Sequence, residues 1–305
     1  MKRKSFVSAV IGFILPIMLF TACDVNTVID AVGGALDDTH SYSAEKEILN
    51  DTAGNEMFVH YLDVGQADSI VVELPDDKLM LIDAGVKDSG QTIVTYVHSL
   101  GYDYIDYFVC THAHADHIGG AVEVIENFGI GTVVVSPEGN TTYTYESTMD
   151  AINQSGAELK YGMAGYVIAS GDNYKAEVIA PATQFEDFTE LNNSSVVIKL
   201  TYGTRVFLFM ADAEELEEST ITANIRCDVL KVGHHGSTSS TSLKFLNKAL
   251  PSIAIISCGV NNEYGHPHDM IINRLKGKGA TVYRTDEDGT IVIKTDGVSL
   301  EVVGR

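Results

Sequence analysis

The chain has 305 residues, 45% hydrophobic and 20% charged, a composition that excludes a disordered protein and fits one large folded domain or two small ones. Lys and Arg number 20 against 42 Asp and Glu, a formal charge of -22. A surface that acidic suits solubility outside a cell and repels nucleic acid at long range, so binding DNA would require a local groove and bound metal.

Lys2, Arg3 and Lys4 precede an apolar run over 6–20, the order of a secretory signal peptide and too short to span a bilayer comfortably. The run ends in Leu19-Phe20-Thr21-Ala22-Cys23, which resembles the lipobox of bacterial lipoproteins, with Phe20 where that family prefers Leu. The resemblance implies that residues 1–22 are removed and that Cys23 carries lipid, leaving the protein extracytoplasmic and anchored to the bacterial cell membrane. Ordinary secretion with a chance cysteine is the alternative. Residues 23–56 are polar with little periodicity and read as a tether. Cys110, Cys227 and Cys258 stand inside or beside apolar runs and read as buried thiols, neither a disulfide framework nor a zinc knuckle.

A domain over 57–305 follows. Its pattern predicts strands at 58–64, 69–74 and 78–82, a helix at 91–100 and a buried strand at 107–110. A helix at 118–128, a strand at 132–135 and a helix at 145–154 come next. The second half repeats the alternation, with strands at 175–179, 195–200, 205–210, 229–232 and 253–257, and helices at 214–223, 242–250 and 270–276. Strands at 281–283, 291–294 and 300–303 close the chain. Two similar halves of strands with interspersed helices argue for an α/β fold of two sheets packed face to face with helices outside, an αββα sandwich.

Most of the ten histidines fall in three clusters at the ends of predicted strands. The first is Thr111-His112-Ala113-His114-Ala115-Asp116-His117-Ile118-Gly119-Gly120. Imidazole and carboxylate are ligands for zinc, manganese or iron. Alternate residues His112 and His114 point to one side of an extended loop, leaving Asp116 and His117 free to reach a second ion.

His-x-His-x-Asp-His followed by Gly-Gly resembles the signature of the metallo-β-lactamase superfamily, whose fold is the αββα sandwich. The resemblance implies that His112 and His114 hold one metal while Asp116 and His117 hold the other. It implies that Asp212 bridges them and that His235, of the pair His234-His235, is the last ligand. Without that resemblance Asp212 reads as the N-cap of the helix after it. Further motifs stand in a fixed order: Asp63-Val64-Gly65-Gln66-Ala67-Asp68-Ser69, Leu81-Ile82-Asp83-Ala84-Gly85, Lys231-Val232-Gly233-His234-His235-Gly236-Ser237, Tyr264-Gly265-His266-Pro267-His268 and Thr285-Asp286-Glu287-Asp288-Gly289. Together they are similar to the hydrolase domain of ComEC-type competence proteins, which is credited with nuclease activity. Ala67 replaces a favoured Gly, and later apolar stretches are too short for that family's multi-spanning DNA channel.

No histidine occurs between His117 and His234, where the superfamily keeps a third ligand for its first metal. Asn192-Asn193-Ser194-Ser195 stands at that point, so an amide oxygen or a water takes the position, and Asn192 is a candidate for substrate binding. An oxygen ligand tilts the site toward harder ions such as manganese or magnesium. The expected cofactors are two divalent ions, zinc or manganese.

Asp116 is expected to orient the nucleophile as well as bind metal, and His234 to contact or protonate the leaving oxygen. Asp83 reads as orienting a ligand histidine, or as an ordinary strand-to-turn residue. Gln66, Asp68, His266 and His268 are candidates for substrate binding, each with a structural alternative. His40, His60 and His98 receive no function. The leading expectation is an extracellular phosphodiesterase, plausibly a DNase, with a phosphodiester substrate, the membrane reached through lipid, and no protein partner. The alternatives are a phosphorylcholine esterase acting on cell-wall polymers and a non-catalytic binding lipoprotein. Cys23→Ala should release the protein or leave an uncleaved precursor in a membrane fractionation, whereas parent-like fractionation and migration would refute the lipobox.

Overall fold

The computed structural model describes residues 56–182 and 190–304; Cys23, His40 and the tether up to residue 55 lie outside them. In chain order the first sheet takes β1 (Met57–Tyr61), β2 (Ile70–Glu73), β3 (Leu79–Ile82), β4 (Tyr104–Cys110), β5 (Gly129–Val135) and β6 (Glu158–Tyr161). The second takes β7 (Val167–Ser170), β8 (Tyr174–Ala180), β9 (Val197–Tyr202), β10 (Arg205–Phe209), β11 (Val229–Lys231), β12 (Ile253–Ile256) and β13 (Thr281–Arg284). The closing strands β14 (Ile291–Thr295) and β15 (Leu300–Gly304) do not extend the second sheet. They return to the first, β14 pairing antiparallel with β1. The spatial orders are β15-β14-β1-β2-β3-β4-β5-β6 and β13-β12-β11-β10-β9-β8-β7. In each sheet one half is parallel, β3 through β6 and β10 through β13.

The helices are α1 (Gly90–Ser99), α2 (Ala115–Ile118), α3 (Ala121–Asn127), α4 (Tyr143–Ser155), α5 (Glu215–Thr220), α6 (Leu243–Ala249), α7 (Asp269–Gly277) and α8 (Thr285–Asp288). Successive strand residues point to opposite faces, and in central strands such as β3, β4 and β10 both faces are apolar, so each of these feeds two cores. On β3, Met80 and Ile82 turn inward with Val109 to meet Val178, Ile198, Phe207 and Phe209 of the second sheet. Leu79 and Leu81 turn outward with Phe108 against Ile93, Val94 and Val97 of α1 and Val124 of α3. On the far side Leu208, Leu230 and Ile256 meet Phe245 and Leu246 of α6 and Ile271 and Leu275 of α7. Three apolar contacts between four layers make the αββα sandwich.

Two departures from the sequence pattern have local causes. The helix expected over 118–128 is split, because Gly119 and Gly120 are pressed against neighbouring backbone. A Cβ on Gly119 would lie 2.5 Å from the Lys87 nitrogen, and one on Gly120 2.4 Å from the Ala84 oxygen. Strands β6 and β7 escape the pattern because they are the edges of their sheets, half-exposed and short of apolar alternation. The three described cysteines are free and buried.

Glu217 on α5 is fully buried. Burial pushes its carboxyl well above its ordinary range against the weaker opposing pull of the Ser195 backbone. The folded state therefore keeps a proton that the unfolded chain releases from about pH 4.3 upward, and stability falls as pH rises through that interval. E217Q should remove this loss. Its Tm should exceed the parent's at pH 7.5 by about 2–4 °C per kcal/mol gained, with the advantage vanishing near pH 4. A Tm difference that does not change with pH would contradict it.

Candidate metal centre

The functional side chains gather where the parallel strands end. After β4 the backbone bends at His112 and Ala113 and reaches His114, the N-cap of α2, which brings His112 Nε2 to 3.1 Å from His114 Nδ1. Asp116 and His117 follow on α2. Asp83 stands just past β3, Asp212 past β10, His234 and His235 past β11, and His266 beyond β12. The sharp exits need left-handed backbone at non-glycine residues: Asp83 (φ 60°), Ala211 (φ 47°), His234 (φ 47°) and His235 (φ 51°). Such strain survives only where the surroundings enforce it.

Hydrogen bonds around the centre set the tautomers. Asp83 accepts from the Thr111 N–H at 2.8 Å, the Thr111 hydroxyl at 2.7 Å and His117 Nδ1 at 2.7 Å. With its proton spent on Asp83, the Thr111 oxygen accepts from His112 Nδ1 at 3.2 Å. His235 Nδ1 donates to the Ser257 carbonyl at 3.0 Å. Each of these rings holds its Nδ1 hydrogen away from the centre and, when neutral, turns an Nε2 lone pair into it.

Asp212 faces all of them. Its Oδ1 lies 3.3 Å from His117 Nε2 and 3.6 Å from His235 Nε2. Its Oδ2 lies 3.9 Å from His112 Nε2 and 3.7 Å from His234 Nε2. Asp116 Oδ2 completes one side, 3.3 Å from His235 Nε2. Ligand atoms of Asp116, His117, Asp212 and His235 all lie within 4.8 Å of one another. His117 Nε2, His235 Nε2 and Asp212 Oδ1 are buried without a hydrogen-bond partner among the described residues. Convergent orphans of this kind are costly unless something binds them, and neutral imidazole with carboxylate is a donor set for a divalent cation. Asp212 is not a helix cap: the N-cap of α5 is Glu214.

Charge states agree. Burial alone would raise the carboxyl of Asp212, but His117 and His235 outweigh it and hold the group well below its ordinary range. The same balance brings Asp116 to about 2. Burial opposes protonation of His235, yet Asp212 and Asp68 lift it to about 10, and His117 is raised by Asp212 and Asp83. Without a cation the carboxylates draw protons onto these two rings.

A cleft of about 310 Å³ opens above the centre, lined by Gln66, His114, Asp116, Asn192, Asp212, His234, His235, Tyr264 and His266 among others. Gln66 also accepts from the Gly259 N–H at 3.0 Å. Two candidates for substrate contact lie elsewhere. Asp68 is 2% exposed, beneath the cleft, bonded to Lys231 Nζ at 2.5 Å and 3.4 Å from His235 Nδ1. His268 accepts from the Thr238 N–H and stands behind His266. His60 pairs with Glu73 and Tyr96, and His98 packs on Phe128, both away from the centre.

The sequence reading missed three residues. Lys231 is fully buried, and a lysine inside the apolar strand Val229–Lys231 is a signal that it has a buried anionic partner. Tyr264, 60% exposed at the cleft mouth, stacks on His266. Glu214 binds Asn192, Asn193 and His234, and nothing in its acidic run distinguishes it.

Residues 62–260 match the family model described as metallo-beta-lactamase superfamily. The chain is 32% identical over 254 residues to ComE operon protein 3 of Bacillus subtilis (strain 168), covering 76% of this chain and 32% of that protein. It is 30% identical over 244 residues to Competence protein ComA of Neisseria gonorrhoeae, covering 78% and 32%. The chain thus spans about a third of the length of these curated relatives. Among solved structures, CmlA, a diiron beta-hydroxylase from Streptomyces venezuelae, shares the fold with a TM-score of 0.51 at 13% identity, covering 75% of this chain and 53% of that one.

Because His117 and His235 must lose their protons to ligate, cation binding should release about two protons near pH 7 and weaken as pH falls. Calorimetric titration of the metal-free protein with Mn(II), in buffers of different ionisation enthalpy, checks this. Binding without proton release would contradict the assignment of these rings as ligands.

Proposed function

The chain belongs to the metallo-beta-lactamase superfamily, and from that premise we propose that it is a metal-dependent hydrolase of phosphate esters, a phosphodiesterase with DNA among its substrates. We further propose that it works outside the cell, tethered by lipid on Cys23. The observation that carries the activity is the buried Asp212 carboxylate, with one oxygen toward His117 and His235 and the other toward His112 and His234. His112 and His114 with Asp212 would hold one divalent ion, and Asp116, His117, Asp212 and His235 the other. When bound, two such ions, zinc or manganese, stabilise charge on the attacking and leaving oxygens of an in-line displacement.

The chain's own groups supply the rest. Asp116 is the carboxylate of the centre most open to the cleft, its side chain 33% exposed against 2% for Asp212, so it can accept a hydrogen bond from the incoming water and orient it. His234, held through Nδ1 by Glu214 at 3.2 Å, presents Nε2 to the cleft for contact with the leaving oxygen. His266, its ring packed 5.6 Å from that of His234, is suited to a phosphate oxygen.

Phosphate is favoured over β-lactam because no histidine occurs between His117 and His234 and the cysteine there, Cys227, is buried in the outer apolar layer against the Ala249 carbonyl, and phosphate's anionic oxygens can span two cations. The net charge of -22 implies weak, salt-sensitive DNA binding. A phosphorylcholine ester is the second reading, favoured by Tyr264 alone, whose exposed ring suits a quaternary ammonium as well as a nucleobase.

Chelation should abolish hydrolysis of single-stranded DNA and a small phosphodiester, and manganese or zinc should restore it. D212A should lower the rate by more than about 100-fold, the upper range for an outer-shell partner, and lower metal content with it. H266A should bind metal normally yet cut DNA poorly. Fast nitrocefin turnover with inert phosphodiesters would overturn the assignment, and activity confined to phosphorylcholine esters would establish the second reading.

A further inference from the structure

Imidazoles and the carboxylates of Asp116 and Asp212 converge on the centre. The turn Leu191–Ser194, between β8 and β9, brings Asn192 to the wall of the same cleft as Asp212 and His234. Its Oδ1 is enclosed by protein and has no hydrogen-bond partner among the described residues. An amide oxygen shut off from water without a donor is destabilising unless a cation or a donor reaches it.

The orientation of that oxygen traces to Glu214. The Glu214 carboxylate accepts from Asn192 Nδ2 at 3.3 Å and from Asn193 Nδ2 at 3.5 Å, and lies 3.2 Å from His234 Nδ1. Amide orientation here follows from chemistry: an amide oxygen turned toward the carboxylate would set two acceptors against each other. Asn193 is fixed independently, because its Oδ1 accepts from the Glu217 N–H at 3.2 Å. Glu214, half-buried, therefore turns Asn192 Oδ1 away from itself and, together with the Ser239 hydroxyl 3.1 Å from His234 Nδ1, aims His234 Nε2 to within 3.7 Å of Asp212 Oδ2.

We propose that Glu214 is a positioning residue that makes Asn192 Oδ1 an oxygen ligand of the ion held by His112 and His114, an inference that rests on the two-ion reading above. A neutral amide oxygen is a harder donor than imidazole and draws that site toward manganese or magnesium rather than zinc.

The test is titration of the metal-free full chain with Mn(II), counting bound ions and their affinities. The parent should bind two. N192A and E214A should each leave one affinity intact and weaken the other by about 10–100-fold. The double variant N192A/E214A should bind no worse than N192A, since Glu214 acts through Asn192. N192D/E214Q exchanges donor for acceptor and should recover most of the lost affinity, while N192D alone, with two carboxylates facing each other, should not. Parent-like binding of both ions by N192A, a further loss from E214A in the N192A background, or no recovery in N192D/E214Q would overturn the proposal. Should E214A not fold, N192A against N192D/E214Q decides it. A parent that binds fewer than two ions refutes the two-ion reading itself.

Discussion

Asp212 is 1% exposed and carries its charge in the interior, where an unpaired carboxylate is among the most expensive groups a fold can hold. Its partners within 4 Å among the described residues are imidazoles, from His112, His117, His234 and His235. Neutral imidazoles cannot repay that cost by accepting protons and also keep their Nε2 atoms free as ligands. A divalent cation resolves the conflict. Both sheets end their parallel halves at this point, and four non-glycine residues adopt left-handed backbone there. The core elsewhere, with its three apolar contacts, supplies the rigidity that keeps these exits in place.

Around the ligands lies a layer of groups whose work is orientation. Asp83 governs His117 directly and His112 through Thr111, so one carboxylate sets two tautomers. Asp68, just before β2 of the same sheet, lies beneath His235 of the opposite one, and its burial is made tolerable by the equally buried Lys231 of β11. Burial works against the Asp68 carboxyl, yet Lys231 and His235 hold it far below its ordinary range. Removing Lys231 alone would leave an uncompensated carboxylate under His235, which is costlier than removing the pair.

The sandwich was largely legible in the sequence because strands buried on both faces read as continuous apolar runs, as in Leu79–Ile82. The His112 cluster was legible because four ligand-type side chains in six residues have no place in a core. The return of β14 and β15 to the first sheet was not, since a strand's local pattern carries no record of its neighbour. Asp68 and His268 looked like cleft residues because both belong to polar motifs, whereas packing sends Asp68 to a buried lysine from a distant strand. Glu214 was invisible for a different reason. Its partners lie on two other loops, and its surroundings in sequence are simply acidic.

Electron paramagnetic resonance of the protein loaded with Mn(II) tests the central claim most directly. Two ions sharing the Asp212 carboxylate are close enough to couple, so full loading should give the broad exchange-coupled spectrum of a dinuclear centre, and D212A should lose it. A spectrum at saturation of one ion, or of two uncoupled ions, would contradict a bridging Asp212.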